Sequence, residues 1–163
     1  IIDKHAAHER QLFEKLAANY GDVPAQLLLE PLVVELSAED AASLLEQLPL
    51  LEEFGFVCED FGDGTVLVRQ VPSDLEVGDV PAALEELAED LRLNRADPAA
   101  ARDSLLQTMA CKSAIKAGMW SDPSELQALA DKVQSGEIRY CPHGRPVAVK
   151  LSKYEMEKMF KRA

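Results

Sequence analysis

Apolar and polar positions change period several times along the chain, and each change marks an expected element. Over residues 5–18, Leu12, Phe13 and Leu16 recur at helical spacing among alanines. Asn19-Tyr20-Gly21-Asp22 and Pro24 then end that helix. Residues 26–36 read as extended, but Pro31 splits them, so an edge or linker segment over 26–30 should precede a strand over 32–36. Ser37 with Glu39 and Asp40 opens a helix to about Leu51. Two partly alternating runs, 54–59 and 65–70, flank Asp60-Phe61-Gly62-Asp63-Gly64 as a hairpin. Helices are expected over 80–92, 99–117 (ended by Gly118), 125–133 and 152–162, with a short strand over 147–151.

Strands and helices follow one another without regular βαβ repetition, which predicts an α+β fold. The expected organisation is two-lobed. Residues 1–33 and 99–163 form one lobe from both chain ends, and residues 34–98 form an inserted α/β lobe.

Charge sharpens that division. The chain of 163 residues has a formal net charge of −12, unusual for a protein that touches nucleic acid. Residues 30–103 hold 19 Asp/Glu against 4 Lys/Arg, however, whereas the flanks hold 10 against 13. Different partners for the two parts would explain this, and so would an acidic solvated surface on the insert. Three widely spaced cysteines, Cys58, Cys111 and Cys141, do not make a secreted disulfide framework and fit a reducing cytosol. No apolar run approaches the ~20 residues of a membrane span, and no signal peptide is visible. An opening on Ile-Ile without methionine is expected of a piece of a longer protein.

Candidate chemistry lies at the two ends. His5 and Glu9 are four apart, which stacks imidazole and carboxylate on one helix face, and Asp3 just before them can cap the helix or reach the same point. Far away, Cys141-Pro142-His143-Gly144 places a thiolate and an imidazole in a turn, and zinc accepts both. With Cys111 added from the long helix, the set mixes Cys, His and carboxylate, as suits a metal that keeps an open position for water. Bland readings stand beside each. His5 and Glu9 also make an ordinary surface pair worth a few tenths of a kcal/mol, roughly. Cys111 is also a small core residue, and His143 also decorates a turn. His8 is rotated about 60° from His5 and is expected to be solvated. A thiol–base pair of Cys141 and His143 is disfavoured by the intervening proline and the lack of a neighbouring acid. No phosphate-binding glycine loop appears, so nucleotides are not indicated. Lys112, Lys116, Arg145 and Lys150 lie near the cluster in sequence and can hold a phosphodiester backbone, or simply form a solvated basic face.

These residues also resemble a known family. Asp3-Lys4-His5-Ala6-Ala7-His8-Glu9-Arg10-Gln11-Leu12-Phe13-Glu14 resembles the DQHAxxExxxxE endonuclease motif of the MutL mismatch-repair family. Ala110-Cys111-Lys112 is similar to its ACR/ACK motif and Cys141-Pro142-His143-Gly144-Arg145-Pro146 to its C-P/N-HGRP motif. Phe160-Lys161-Arg162 is similar to a short FxR element near the family's C-terminus. Gln26-Leu27-Leu28-Leu29-Glu30-Pro31 resembles its QxxLxP sliding-clamp motif, with Gln26 as polar clip, Leu29 as anchor and Pro31 holding the segment extended. An edge strand with core leucines is the other reading of that segment.

The resemblance implies a dimerising lobe with an inserted regulatory lobe, and metal-dependent nicking of one strand of duplex DNA without sequence specificity. Carried over residue by residue, it makes Asp3, His5 and Glu9 catalytic. With Cys111, Cys141 and His143 they would form or surround a site for one or two zinc or manganese ions per chain. It implies a homodimer in the bacterial cytoplasm, associated with the nucleoid. Its partners would be duplex DNA held weakly, the sliding clamp, and the mismatch-recognition protein MutS through the full-length protein. The alternative is a non-catalytic dimerisation and adaptor module with a structural zinc. Lys4 stands where the motif has glutamine. In an extended segment it would point away from Asp3 and His5, whereas pointing inward it would repel a cation.

Overall fold

The computed structural model describes residues 1–116 and 118–162. They contain seven α-helices and one three-stranded antiparallel sheet, a mixed α+β fold. Two compact units divide the chain: Ile1–Gln11 with Ala114–Ala163, and Leu12–Ser113. Helix α1 (Lys4–Ala18) contributes its first half to one and its second half to the other.

In the unit Leu12–Ser113, strands β1 (Ala25–Glu35), β2 (Val57–Gly62) and β3 (Thr65–Pro72) lie in the order β1-β3-β2. Pairing of β1 with β3 is interrupted: Leu27 faces Gln70 and Leu32 faces Val68, leaving residues 28–31 opposite a single position. Pro31, which has no N–H to donate, sits in that break. The β2–β3 turn uses Asp63 (φ 51°) and Gly64 (φ 78°), the two left-handed positions of a two-residue hairpin. A side chain at Gly64 would meet the Leu36 carbonyl oxygen at 2.9 Å, so glycine is required twice over.

Helices α2 (Ala38–Leu45) and α3 (Leu48–Glu53) replace the single helix expected to run to Leu51. Pro49 cannot continue a helix from the preceding turn but is tolerated in the first turn of a new one. Residues 54–56 close α3 instead of opening the strand: Phe54 and Phe56 are buried, and Gly55 adopts φ 89°. Helices α4 (Val80–Leu93) and α5 (Pro98–Ser113) complete the unit, its core including Leu44, Leu51, Val66, Leu84, Leu87, Leu105 and Met109. The expected continuation of α5 ends earlier, and its expected last residue, Ala117, lies outside the described residues.

In the other unit, α6 (Pro123–Gln134) is capped by Asp122, whose side chain accepts from Ser124 N–H at 2.8 Å. The Ser124 hydroxyl, which also donates to that carboxylate, and then the Ser124 N–H hold the Asp122 carboxyl below its usual value. Helix α7 (Lys153–Met159) opens with a reciprocal Ser152–Glu155 capping box. Leu129, Ile138, Cys141 and Val147 pack with Ala6 and Ala7 of α1, and Ile2 and Val133 cover them. The strand expected over 147–151 is reduced to a short antiparallel pairing with the N-terminus: Asp3 N–H donates to Val147 O (2.8 Å) and Val149 N–H to Ile1 O (2.9 Å). Two residues of ladder do not sustain a longer strand, and Val149 and Leu151 are exposed. Among the described residues, no helix is long and apolar enough to cross a membrane.

Candidate metal centre

The site begins at the entry to α1. Asp3 Oδ1 accepts Ala6 N–H at 3.1 Å, the capping contact that starts the helix. One turn on, Glu9 falls on the helix stripe of Ala6, Leu12 and Leu16, every member of which is buried. Glu9 itself is 1% exposed, which places a carboxylate where the fold otherwise puts aliphatic groups.

Residues 141–145 supply the opposite wall. Gly144 N–H donates to Cys141 O (2.9 Å) and Cys141 N–H to Arg145 O (2.8 Å), closing a tight turn with Pro142 at its second position. Gly144 has φ 81°, a conformation glycine adopts without cost, and its Cβ position faces open space. The turn buries Cys141 in the apolar cluster and leaves the His143 ring half-exposed.

One ligand-type atom from each of Glu9, Cys141 and His143 lies within 4.8 Å of the other two. Glu9 Oε1 is 3.0 Å from His143 Nδ1, yet this buried oxygen makes no hydrogen bond. A buried carboxylate oxygen so placed carries a desolvation cost of several kcal/mol, roughly, unless a charge or donor meets it. A carboxylate, a thiol and an imidazole converging in this way, with Glu9 and His143 at ion-pair distance, are a donor set that zinc or a similar divalent ion satisfies. The residues present therefore fit a metal ion.

Asp3, His5, Ala6, Glu9, Cys141, Arg145 and Pro146 line one cavity of about 140 Å³, so the two histidine-bearing segments and the N-terminal acid share a space. His5 Nδ1 donates to Ile115 O at 3.0 Å; a carbonyl only accepts, so the proton is on Nδ1. Cys111 lies half-buried on α5, in the other unit, and the ligand group itself is Glu9, Cys141 and His143. Lys4 is part of α1, not extended, and its ammonium binds Met119 O at 2.9 Å; it is not among the cavity-lining residues. His8 differs from its expected solvation. It is half-buried, and its Nδ1 accepts Ile115 N–H at 3.0 Å.

The basic residues separate by environment. Arg145 lines the cavity, Lys150 is exposed, Lys116 is half-buried, and Lys112 pairs with Glu86 at 2.7 Å. Gln26, Leu29 and Pro31 are all exposed, Leu29 fully. Sequence reasoning paired Glu9 with His5 but missed its burial, for which the stripe of Ala6, Leu12 and Leu16 was the available signal. It also missed that Glu9 is the acid beside His143. That neighbour does not revive a cysteine nucleophile, because Cys141 is 1% exposed and a substrate cannot approach its sulfur.

Residues 1–120 match the family described as MutL C terminal dimerisation domain. The chain is also similar to three proteins named DNA mismatch repair protein MutL. The one from Caldanaerobacter subterraneus subsp. tengcongensis is 38% identical over 164 residues, covering 99% of this chain and 28% of that protein. The one from Desulforamulus reducens is 38% identical over 168 residues, covering 99% and 26%. The one from Acidiphilium cryptum is 40% identical over 168 residues, covering 100% and 29%. The chain thus spans between a quarter and a third of the length of these curated relatives.

Proposed function

The chain belongs to the MutL C-terminal dimerisation domain family, and on that premise we propose that it is a homodimerising, metal-dependent endonuclease domain of mismatch repair, nicking one strand of duplex DNA without sequence preference. The observation that carries this reading is the buried, hydrogen-bond-free Glu9 oxygen beside His143 and Cys141. Glu9, Cys141 and His143 would hold zinc or manganese, one or two ions per chain, with Asp3 and His5 lining the neighbouring cavity. When bound, the ion supplies Lewis acidity to phosphate oxygens and an acidified water. The chain's own groups do the rest. With an ion bound, Asp3 and His5 would orient the water and take up its proton. Arg145 places a guanidinium at the cavity wall for the phosphodiester, aided by Lys116 and Lys150 without reading bases.

Recruitment comes from elsewhere, since a net charge of −12 opposes unaided DNA binding. The bulge over residues 28–31 offers Leu29 to a sliding clamp, with Gln26 and Pro31 on either side. Residues 1–33 and 99–163 serve dimerisation and metal binding, residues 34–98 regulation, and the mismatch-recognition protein MutS acts through the full-length protein.

Elemental analysis of the purified domain tests the ligand set: Glu9→Lys and Cys141→Ala should each lower the bound divalent metal, and unchanged content in both rejects the assignment. With manganese, nicking of supercoiled plasmid should disappear in Asp3→Asn; normal nicking by that variant removes Asp3 from the site. A domain that binds metal but never nicks is instead the adaptor with a structural ion.

A further inference from the structure

Arg10 follows Glu9 on α1, turned about 100° from it around the helix, so that with Glu9 facing inward Arg10 faces the flank. There Arg10 Nε donates to Tyr140 O at 2.9 Å. On the other side of the same peptide group, Cys141 N–H donates to Arg145 O at 2.8 Å. Tyr140 stands opposite Pro146, and Val147 N–H donates to Arg139 O at 3.1 Å. That register makes Tyr140 and Pro146 a non-hydrogen-bonded pair, whose own backbone groups point away from the partner arm. The Tyr140 carbonyl therefore faces out of the hairpin, where Arg10 meets it.

We propose that Arg10 is a positioning residue: by holding the Tyr140–Cys141 peptide from α1, it fixes the turn carrying Cys141 and His143 at the spacing Glu9 needs. The inference deepens the metal-site reading and rests on it, since that spacing matters for a shared divalent ion. A peptide group is planar, so gripping its oxygen on one side and its N–H on the other fixes the plane and the Cys141 Cα attached to it. A two-stranded hairpin this short is marginally stable by itself. The 145–147 arm is tied to the N-terminus through Asp3 N–H and Val147 O, and Arg10 ties the 139–141 arm. Ligand and tie thus come from consecutive residues of one helix. Tyr140 is 52% exposed, so water can replace the guanidinium. What a substitution removes is the tie to α1 rather than the carbonyl's hydrogen bond.

The test compares Arg10→Met with Arg10→Gln, metal-free and loaded with Co2+. Both substitutes match arginine in helix propensity, and neither keeps its charge. The Gln amide nitrogen lies as many bonds from Cα as Arg Nε and can donate to Tyr140 O, whereas Met has no donor. In the metal-free protein, hydrogen exchange at the Cys141 amide, followed by NMR, should quicken in Arg10→Met and stay at the wild-type rate in Arg10→Gln. Competition with a chromophoric chelator should show Co2+ binding weakened about 10-fold or more in Arg10→Met, as for other residues that orient metal ligands. The thiolate-to-cobalt charge-transfer band should weaken with it, and Arg10→Gln should retain both. Equal behaviour of the two variants overturns the proposal; tighter binding in both would mean that Arg10 acts as a repelling charge. If Arg10→Met does not fold, Arg10→Gln decides, and weakened binding in that folded variant overturns it. A wild type that binds no Co2+ rejects the metal reading itself. A difference between the variants in Cys141 exchange would then still uphold the tie from Arg10.

Discussion

Burial acts on two residues of this chain in opposite senses. Glu9 is buried beside Cys141 and His143 with an oxygen lacking a hydrogen bond, a placement that costs stability unless a positive charge, on the imidazole or on a metal ion, faces it. Cys58, on β2, is 8% exposed and has no comparable partner set; burial pushes its thiol from 9.0 up to about 12. Folding therefore favours its protonated form. The stability this thiol contributes is fully present below pH 9 and declines as pH rises toward 12. Urea titrations should show the alkaline decline reduced in Cys58→Val relative to wild type. An identical decline in both would mean that other groups govern it. In the native protein at neutral pH, Cys58 should also resist iodoacetamide and react only once unfolded.

At the scale of elements, most of the chain follows local rules. Hairpin, caps and helix starts were readable because Asp63-Gly64, Asp122 and Ser152 act within a few residues of themselves. Two elements were misread, one at a local helix breaker and one for want of a pairing partner. One expected helix became α2 and α3 at Pro49, and the strand expected over 147–151 found only the N-terminal residues to pair with. β1 shows both influences. Pro31 signalled the interruption, but only the register with β3 shows that residues 28–31 form a bulge, and only the structure that Leu29 is fully exposed. A leucine in that position adds nothing to the core, so Gln26→Ala with Leu29→Ala should change stability by less than about 0.5 kcal/mol. The same pair of substitutions should abolish binding to the sliding clamp in surface plasmon resonance while leaving dimerisation intact. Retained clamp affinity would return this segment to an ordinary strand edge.

At the scale of the whole molecule, charge and spatial division run together. The unit Leu12–Ser113 holds 21 Asp/Glu against 6 Lys/Arg, whereas the unit containing the ligand group holds 8 against 11. Phosphodiester binding favours the second and is opposed by the first, so DNA contact should belong to the unit of Glu9, Cys141 and His143. The family description points to dimerisation. Sedimentation equilibrium at micromolar concentration should give twice the 17.9 kDa of one chain. A monomer mass there would reject self-association by this chain.

The sequence by itself determined what depends on nearest neighbours: the α+β class, the start of α1 at Asp3, the stacking of His5 above Glu9, and the glycine-dependent turn that presents Cys141 and His143. These follow from periodicity, capping and backbone freedom, each of which acts over a few residues. Only the tertiary structure decided that Glu9 is buried and meets Cys141 and His143 from the other end of the chain. It alone showed that His5 and His8 bind the carbonyl and the N–H of one residue, Ile115, and that Lys4 turns to Met119. Burial and convergence depend on which surfaces pack together, and spacing along a single chain does not encode the partner on the facing wall.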